Sequence, residues 1–231
     1  HYCAYQKNDE AIAAEWQTVE KTDPNAELVG KHPGGIFAEA IKYKNEGKFH
    51  SRKYLFALVE IMRRENVRVY EESEAVDVEV KEKVVVKTRD GAVTADKLIV
   101  AMGNPSTLFP ELSVLIEPLV SYVIGARFAE PPLTEDLFWD TFEPYFYYRK
   151  VDAHTIILGG CDIAANKVGD QKNPHEKLEA FLKEHMKGEY TITNKWSGSL
   201  YHTKDGLPYA FEHPHYKGKV FVATGFGGNG L

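Results

Sequence analysis

Two stretches of the chain repeat apolar side chains at the spacing of an amphipathic helix. In residues 8–21 these positions form one stripe with Glu, Gln and Lys opposite, and in residues 50–66 the stripe is clearer. The apolar positions of the two predicted helices are Ile12, Ala13, Trp16 and Val19, then Leu55, Leu58, Val59 and Met62. We predict Ser51 as the N-cap of the second helix, because its hydroxyl can accept from a free backbone N–H.

After the second helix the pattern changes to alternation, which predicts strands at residues 67–70, 76–80 and 83–88. Residues 98–103 instead form a continuous apolar run, which is typical of a central strand covered on both faces. The order is therefore a helix, a strand, a small three-stranded β insert and a buried strand that ends in Gly103. This α/β pattern is similar to half of a dinucleotide-binding domain.

From residue 119 onward, long β-type segments follow one another at residues 119–128, 145–150, 155–160 and 190–196. One helix interrupts them at residues 174–187, where Leu178, Phe181 and Leu182 lie at helical spacing. We therefore expect a mixed α+β and α/β fold. A partial doubly wound, Rossmann-like domain is interleaved in it with a large, mostly antiparallel sheet.

Composition narrows the class of protein more than it identifies a function. Hydrophobic residues make up 43% and charged residues 27% of the chain, as in a soluble globular protein. A net charge of −6 without a basic stripe argues against nucleic acid as a partner. Cys3 and Cys161 have no metal-site spacing, so we expect no metal and a reducing, cytoplasmic location. No apolar run is long enough for a membrane span.

Three glycine-containing segments carry the candidate chemistry. They are Asp90-Gly91 with Ala101-Met102-Gly103, then Thr203-Lys-Asp205-Gly206-Leu-Pro-Tyr209, and finally Ala223-Thr-Gly225-Phe226-Gly227-Gly228-Asn229-Gly230. Glycine directly after a strand lets the backbone take positive φ angles and approach a flat or anionic ligand closely. Each segment taken singly is also an ordinary turn, so only their combination favours a ligand site.

In this order and at these separations, the segments resemble the FAD-dependent amine and amino-acid oxidoreductases of the D-amino-acid oxidase and glycine oxidase type. Trp196-Ser-Gly198 before the Asp205-Gly206 turn is similar to the bacterial branch related to γ-glutamylputrescine oxidoreductase. The resemblance extends from about residue 4 to the end of the chain. It implies that the cofactor is FAD and that the substrate is a small amine or amino acid, oxidised by hydride transfer to flavin N5.

The resemblance also implies where FAD binds. Ala101, Met102 and Gly103 would face its diphosphate and ribose, and Ala75 or Val76 would touch adenine. Asp205, Gly206 and the terminal glycines would hold the ribityl chain and the flavin ring. The terminal residues concerned are Gly225, Phe226, Gly227, Gly228, Asn229 and Gly230.

The implied domains alternate along the chain. Residues 1–46 and 109–198 form the substrate domain, and residues 47–108 and 199–231 belong to the FAD-binding domain. The family's Gly-x-Gly-x-x-Gly loop, which opens the chain there, is missing. We therefore expect a parent protein that is longer at both ends, and a chain that alone neither retains FAD nor catalyses.

No catalytic residue follows from the sequence, because flavin amine oxidation needs no dedicated triad. Where such amino-acid oxidases carry an arginine for the substrate carboxylate, this chain has Leu200. Arg149 is a candidate replacement, although an arginine facing solvent at a sheet edge is an equal alternative. On a strand Arg149 would share a face with Tyr145 and Tyr147. The further substrate-binding candidates are Tyr122 and His202.

Two other functions stay open. A flavin dehydrogenase of 2-hydroxy acids or polyol phosphates would have the same architecture and a cationic substrate pocket. A binding or scaffolding domain that has lost its cofactor would keep the sheet and lack the opening phosphate loop. Oligomeric state is not indicated by the sequence.

Overall fold

The computed structural model describes residues 1–32, 36–169 and 173–228. Its helices are α1 (Glu10–Thr22), α2 (Ser51–Arg64) and α3 (Pro174–His185). Its strands up to residue 101 are β1 (Tyr2–Ala4), β2 (Glu27–Val29), β3 (Glu39–Lys42), β4 (Asp77–Val80), β5 (Val84–Lys87), β6 (Ala92–Ala95) and β7 (Leu98–Ala101). The later strands are β8 (Glu117–Phe128), β9 (Leu137–Asp140), β10 (Phe146–Lys150), β11 (Thr155–Ala164), β12 (Tyr190–His202), β13 (Tyr209–Glu212) and β14 (Val220–Thr224).

The chain divides into two compact units that alternate along the sequence. Unit 1 comprises His1–Lys48 and Val120–Gly198, and unit 2 comprises Phe49–Leu119 and Ser199–Leu231. Across the described ranges, no helix is long and apolar enough to cross a membrane.

A large sheet forms unit 1. Within the described residues it has eight strands in the order β12-β8-β11-β10-β9-β1-β3-β2. Strand β10 pairs antiparallel with β9 and β11, β3 pairs antiparallel with β1 and β2, and β1 pairs parallel with β9. The predicted mixed fold with a large, mostly antiparallel sheet is therefore confirmed.

Helix α3 covers one face of this sheet. Its side chains Leu178, Phe181 and Leu182 are buried, as their helical spacing predicted. Phe181 stacks on Phe146 with ring centroids 4.3 Å apart and also contacts Tyr148. Burying one such side chain stabilises the fold by about 1.5–3 kcal/mol, so this layer is a major source of stability for unit 1.

Helix α1 begins where the Asp9 carboxylate accepts hydrogen bonds from the backbone N–H groups of Ala11 and Ile12. An acidic side chain at this position satisfies free N–H groups and complements the helix dipole. Ile12 and Val19 from the predicted stripe are buried, with Ala4 of β1 among their neighbours in the same cluster.

Unit 2 contains two small sheets in its described part. One has the order β13-β14-β7, with β14 parallel to β7 and antiparallel to β13. The other is the predicted three-stranded insert, in the order β4-β5-β6 with both pairings antiparallel. A buried cluster that includes Val100, Val220 and Val222 packs between apolar side chains of these elements, among them Val78.

Several expectations for unit 2 are wrong. Residues 67–70 do not form a strand, and Val67, Val69 and Tyr70 are exposed. Strand β7 is an edge strand in the described residues rather than a doubly covered central one, and Ile99 is 70% exposed. Alternation identifies a strand only where a neighbour pairs with it, and an apolar run predicts a strand without giving its position in the sheet.

Helix α2 has the predicted extent, but two details differ. His50 is the N-cap and its ring accepts from the Lys53 N–H at 3.4 Å, so Ser51 is the first helical residue. No residue of α2 is buried, and Leu55 and Met62 of the predicted apolar stripe are exposed. The stripe is present in the sequence, yet Leu58 and Val59 are only partly buried and its other members are exposed.

Pattern analysis also missed the short strands β1, β2, β3, β9 and β13. Each has three or four residues, which is too short for alternation to be distinguished from chance.

Candidate functional site

Strand β14 ends in a glycine-rich turn whose backbone is left-handed. Gly225 has φ 73° and Gly227 has φ 60°, a region that favours glycine because other residues pay a steric cost there. The Thr224 hydroxyl donates a hydrogen bond to the carbonyl oxygen of Gly103 at 3.0 Å. This bond joins the turn to the segment that follows the end of β7.

The same turn packs against the end of β12. The N–H of Gly227 donates to the carbonyl oxygen of Tyr201 at 3.1 Å. A Cβ atom at Gly225 would lie 2.4 Å from the Thr203 side chain, and one at Gly227 would lie 3.3 Å from the His202 ring. The glycines are therefore required by close packing within unit 2 as well as by their φ angles.

Gly103 is required for a reason that the sequence did not reveal. A Cβ atom there would lie 2.2 Å from the ring of Tyr201. The resemblance assigns this glycine to a phosphate contact, and that assignment stays a prediction. Within the protein itself, the missing side chain leaves room for an aromatic ring.

The Asp205-Gly206 turn completes this group of segments. The Thr203 hydroxyl donates to the Leu207 carbonyl at 2.8 Å, and the Leu207 N–H donates to the Asp205 carboxylate at 3.2 Å. Gly206 has φ 74°, and a Cβ atom there would meet no heavy atom within 4 Å. The turn thus has a fixed backbone with open space beside it. We call Gly103, residues 201–207 and residues 225–228 the glycine cradle.

The glycine cradle fits a flat, partly polar ligand. Two large apolar side chains in it are exposed, Leu207 at 65% and Phe226 at 43%. A flavin ring would cover such side chains, and left-handed glycine backbone can approach a ring without a side chain in the way. The exposed Leu207 and Phe226 side chains and the open space beside Gly206 are compatible with the flavin contact that the resemblance implies, and that contact stays a prediction.

The remaining predicted cofactor contacts lie elsewhere or outside the described residues. Ala101 is the last residue of β7, and Met102 follows it and packs against the core of unit 2. Ala75 and Val76 precede β4, and the Val76 N–H already donates to the Lys87 carbonyl at 2.8 Å. Asn229 and Gly230 lie outside the described residues.

One signal in the sequence was missed. Gly225, Gly227 and Gly230 themselves have the Gly-x-Gly-x-x-Gly spacing, and they follow directly after strand β14. The statement that this spacing is missing therefore holds for the opening of the chain only. The spacing indicates a dinucleotide phosphate loop only when a helix follows it. The described residues end at Gly228, so this spacing stays an observation on the sequence.

The substrate candidates Tyr145 and Tyr147 lie together in unit 1. Their ring centroids are 6.0 Å apart, and the Tyr147 hydroxyl lies 3.3 Å from the Ser121 hydroxyl. Burial raises the pKa of Tyr147, so this phenol stays protonated at neutral pH. A Cβ atom at Gly159 would lie 2.2 Å from the Tyr147 ring, so this glycine lets the ring lie across β11.

Within β10 itself, successive side chains lie on alternate faces of the sheet, as predicted for a strand. Tyr148 and Phe146 pack on the α3 side, and Tyr147 is opposite Gly159 and Trp139 in the register. Arg149 is partly buried and lies opposite Ile157 and Leu137. Tyr145 precedes the strand.

Two candidates lie away from this pair. Tyr122 is buried in the core of unit 1, with its ring perpendicular to that of His175 on α3 and 5.4 Å from it. His202 belongs to unit 2 and lines the glycine cradle beside Gly227. The structure therefore brings together Tyr145 and Tyr147 but not the whole predicted set.

A buried carboxylate in unit 1 was missed. Asp140 accepts hydrogen bonds from the Tyr5 hydroxyl at 2.9 Å and from the N–H groups of Phe142 and Phe146 at 3.2 and 2.9 Å. Burial raises the pKa of Asp140 to about 6, and the three hydrogen bonds oppose this rise. Its position at the end of an alternating four-residue strand was the only signal in the sequence.

Comparison with known proteins gives a family. The family model described as FAD dependent oxidoreductase matches residues 2–231. No curated protein sequence matches the chain. Within the described residues, no group of three or more His, Cys, Asp or Glu side chains is placed to hold a metal ion.

Solved structures give the same fold. Glycine oxidase from Geobacillus kaustophilus superposes with a TM-score of 0.83 at 18% identity, over 99% of this chain and 65% of that chain. Glycine oxidase from Bacillus cereus gives 0.76 at 18% identity, covering 99% and 69%. L-proline dehydrogenase from P. horikoshii gives 0.79 at 16% identity, covering 99% and 67%. This chain thus spans about two thirds of the length of these enzymes.

Proposed function

Because this chain belongs to the family of FAD dependent oxidoreductases, we propose that it contributes the substrate-binding sheet and a flavin-binding segment to an enzyme that oxidises a small amine or amino acid. The observation that carries the proposal is the glycine cradle, where three segments that the sequence singled out are held together by hydrogen bonds and close packing. The neighbours support the substrate class, since their names give glycine and L-proline as substrates.

The bound cofactor would supply the acceptor for a hydride from the substrate carbon that bears nitrogen. This chain would bind FAD and orient the substrate. Gly103, the Asp205-Gly206 turn and Gly225–Gly228 would hold FAD through backbone groups, and Phe226 would cover a ring. Tyr145 and Tyr147 would line the substrate site, with their phenols protonated at neutral pH.

We propose Arg149 as the residue that holds a substrate carboxylate, because Leu200 cannot. Leu200 contributes an apolar side chain instead, whose methyl groups lie about 4 Å from the Cβ position of Gly228. A guanidinium binds a carboxylate through two parallel hydrogen bonds, which fixes the position of the reacting carbon.

We also propose that this chain alone neither retains FAD nor catalyses the reaction. Helix α2 buries no residue, and the exposed Ile99 lies on edge strand β7. Both features call for a covering element, and the opening βαβ unit of a dinucleotide-binding domain would supply a paired strand and a helix. We also propose the cytoplasm as its location, since Cys3 and Cys161 are free thiols.

The first test measures flavin content. We expect the purified 231-residue chain to carry FAD far below unit stoichiometry, and a longer protein with an opening Gly-x-Gly-x-x-Gly unit to be yellow. Unit stoichiometry in the short chain would overturn the statement that it is not competent. It would leave the family and the substrate class untouched.

The second test measures the reaction. The longer protein is titrated anaerobically with amines, amino acids and 2-hydroxy acids, and reduction of the flavin is followed by loss of its absorbance. We expect an amine or amino acid to reduce it. Reduction by 2-hydroxy acids alone would overturn the proposed substrate class.

The role of Arg149 is tested by Arg149→Leu, with Arg127→Leu, at an exposed position of β8, as the matched control. Losing a charge-assisted hydrogen-bond pair costs about 1.5–3 kcal/mol, so KM for an amino acid should rise roughly 10- to 150-fold. KM for the corresponding amine without a carboxylate should not change. An equal effect on both substrates would show that Arg149 acts only through the fold.

A further inference from the structure

A small surface cavity in unit 1 is lined by four aromatic side chains and carboxylates. Its volume is about 190 Å³, and its lining residues are Tyr2, Trp139, Asp140, Thr141, Phe142, Glu143 and Tyr145. Pockets for drug-sized ligands have roughly 300–1,000 Å³, so this one suits a smaller molecule. The described lining contains no lysine and no arginine.

The indole of Trp139 is held in place by neighbours on the sheet. The Tyr2 ring stacks on it with centroids 5.9 Å apart and an interplanar angle of 24°. The Tyr43 ring also stacks on it, at 5.7 Å and 19°. Since Tyr2 is opposite Trp139 in the parallel pairing of β1 with β9, the backbone fixes this arrangement. An indole fixed in this way loses little conformational freedom when a ligand binds to it.

The loop that closes the cavity is fixed by Asp140. One carboxylate oxygen accepts from the N–H groups of Phe142 and Phe146, and the other accepts from the Tyr5 hydroxyl. Both oxygens of the Asp140 carboxylate therefore accept from protein donors, and these bonds hold the loop that shapes the cavity. Glu143 lies in the loop between those two N–H groups and is exposed, so its carboxylate is available to a ligand.

The charges around the cavity have one sign. The groups that act on the Tyr2 phenol are the carboxylates of Glu15, Asp9, Asp140 and Glu143, and together with burial they raise its pKa. Asp162 and Glu143 act in the same direction on Tyr145. A concave site with carboxylates and low-dielectric walls concentrates cations.

We propose that this cavity binds a small organic cation, a primary or quaternary ammonium group, against the aromatic rings of its lining, with Glu143 as the counter-ion. Trp and Tyr faces attract cations through their ring quadrupole, and aromatic cages with a carboxylate are a common solution for ammonium ligands. The site lies wholly in unit 1 and needs no flavin. Tyr145 lines this cavity and is also proposed for the substrate site, so the two proposals share this one residue.

The experiment uses the purified 231-residue chain and three probes. Tetramethylammonium chloride and choline chloride are each titrated with the protein at constant ionic strength. The uncharged analogue of choline, 3,3-dimethyl-1-butanol, is titrated in the same way for comparison. Binding is followed by ligand-observed NMR, so that tryptophan variants remain measurable. We expect saturable binding of both cations, and at least fivefold weaker binding of the alcohol.

The variants locate the site. We expect Trp139→Leu and Glu143→Gln each to weaken choline binding roughly two- to fivefold, since one cation–π contact or one exposed ion pair contributes little more. The matched controls are Trp196→Leu on exposed β12 and Glu130→Gln, both outside the cavity, and they should leave binding unchanged.

Three results would overturn the proposal. They are an absence of saturable binding, equal binding of the alcohol, and a loss in Glu143→Gln that Glu130→Gln reproduces. If Trp139→Leu alters the thermal melt, the comparison of Glu143→Gln with Glu130→Gln decides alone. Both substitutions are at exposed positions and leave the core intact. Since no readout here involves flavin or turnover, a failure of choline binding and a failure of amine oxidation are observed in separate experiments.

Discussion

Helices α3 and α2 have similar lengths and similar apolar stripes, yet the two units use them differently. α3 buries Leu178, Phe181 and Leu182 against the large sheet, whereas α2 buries none of its residues. Unit 1 therefore has its own two-layer core, and unit 2 has a layer without a cover. An amphipathic stripe therefore predicts a helix. The stability of that helix depends on a partner surface, which the stripe does not identify.

The edges of the sheets show the same difference. In unit 1, β9 and β10 have paired neighbours on both sides, and Phe138 and Tyr148 are fully buried between layers. In unit 2, β7 pairs only with β14 within the described residues, and Ile99 is exposed. Unpaired apolar edges of this kind are sites of further pairing, which is why we propose an opening βαβ unit there.

The largest expected effect contrasts one leucine from each helix. Leu182→Ala should lower the free energy of unfolding by about 2–5 kcal/mol, because Leu182 is 0% exposed and its removal leaves a cavity. Leu55→Ala should change it by less than about 0.5 kcal/mol, because Leu55 is 47% exposed in this chain. Urea denaturation followed by circular dichroism measures both.

The same two substitutions also show whether another element packs against α2 in a longer protein. In a longer protein that contains an opening βαβ unit, Leu55→Ala should become as costly as a core substitution. If Leu55→Ala already costs more than about 2 kcal/mol in the 231-residue chain, the contrast between the units is wrong. Equal small effects of both substitutions would show that α3 is not part of a stabilising core.

How far the sequence predicted the fold depends on how local each feature is. The three helices, the β insert and the α3 face were predictable because their patterns span a dozen residues and their partners lie in the chain. Residues 67–70 and β7 were misjudged because strand identity depends on pairing with distant segments. Local propensity gives no information about whether such a segment is present.

The site was predictable in its backbone and not in its side chains. Glycines at 206, 225 and 227 have positive φ angles, which turn chemistry indicates from sequence alone. The Tyr201 ring beside Gly103 and the hydroxyl pair of Ser121 and Tyr147 involve residues far apart in sequence, so no local pattern reveals them. Asp140 was missed for the same reason, since its donor Tyr5 is 135 positions away.

A smaller effect is expected at two glycines that make the same contact in different units. A Cβ atom at Gly159 in unit 1 or at Gly103 in unit 2 would lie 2.2 Å from a tyrosine ring. Alanine at either position should cost about 1–3 kcal/mol through overpacking. We expect Gly159→Ala to cost more, because Tyr147 is flanked by Tyr145 and held near Ser121.

Thermal melts of Gly159→Ala and Gly103→Ala measure this difference, with Gly91→Ala as a control that meets no atom within 4 Å. A larger loss for Gly103→Ala would mean that the glycine cradle is the more rigid of the two places. That result would contradict the contrast between a self-contained unit 1 and an uncovered unit 2.

The smallest expected effect comes from the buried carboxylate of unit 1. The pKa of Asp140 is raised to about 6 from an ordinary value of about 3.9, so the folded state binds its proton more tightly than the unfolded state does. Its contribution to stability is full below pH 4 and is lost as pH rises through 6. The loss should be on the order of 1–3 kcal/mol, since a pKa difference of about two between the folded and unfolded states corresponds to at most about 3 kcal/mol.

The measurement compares urea denaturation of the unmodified chain with that of Asp140→Asn at pH 4, 5, 6 and 7. Because asparagine does not titrate, the unmodified chain should lose stability relative to the variant between pH 4 and 6, with no further change above pH 7. A constant difference across this range would show that Asp140 is ionised throughout. Burial in unit 1 would then not raise the pKa of Asp140, and the two units would differ less than their helices suggest.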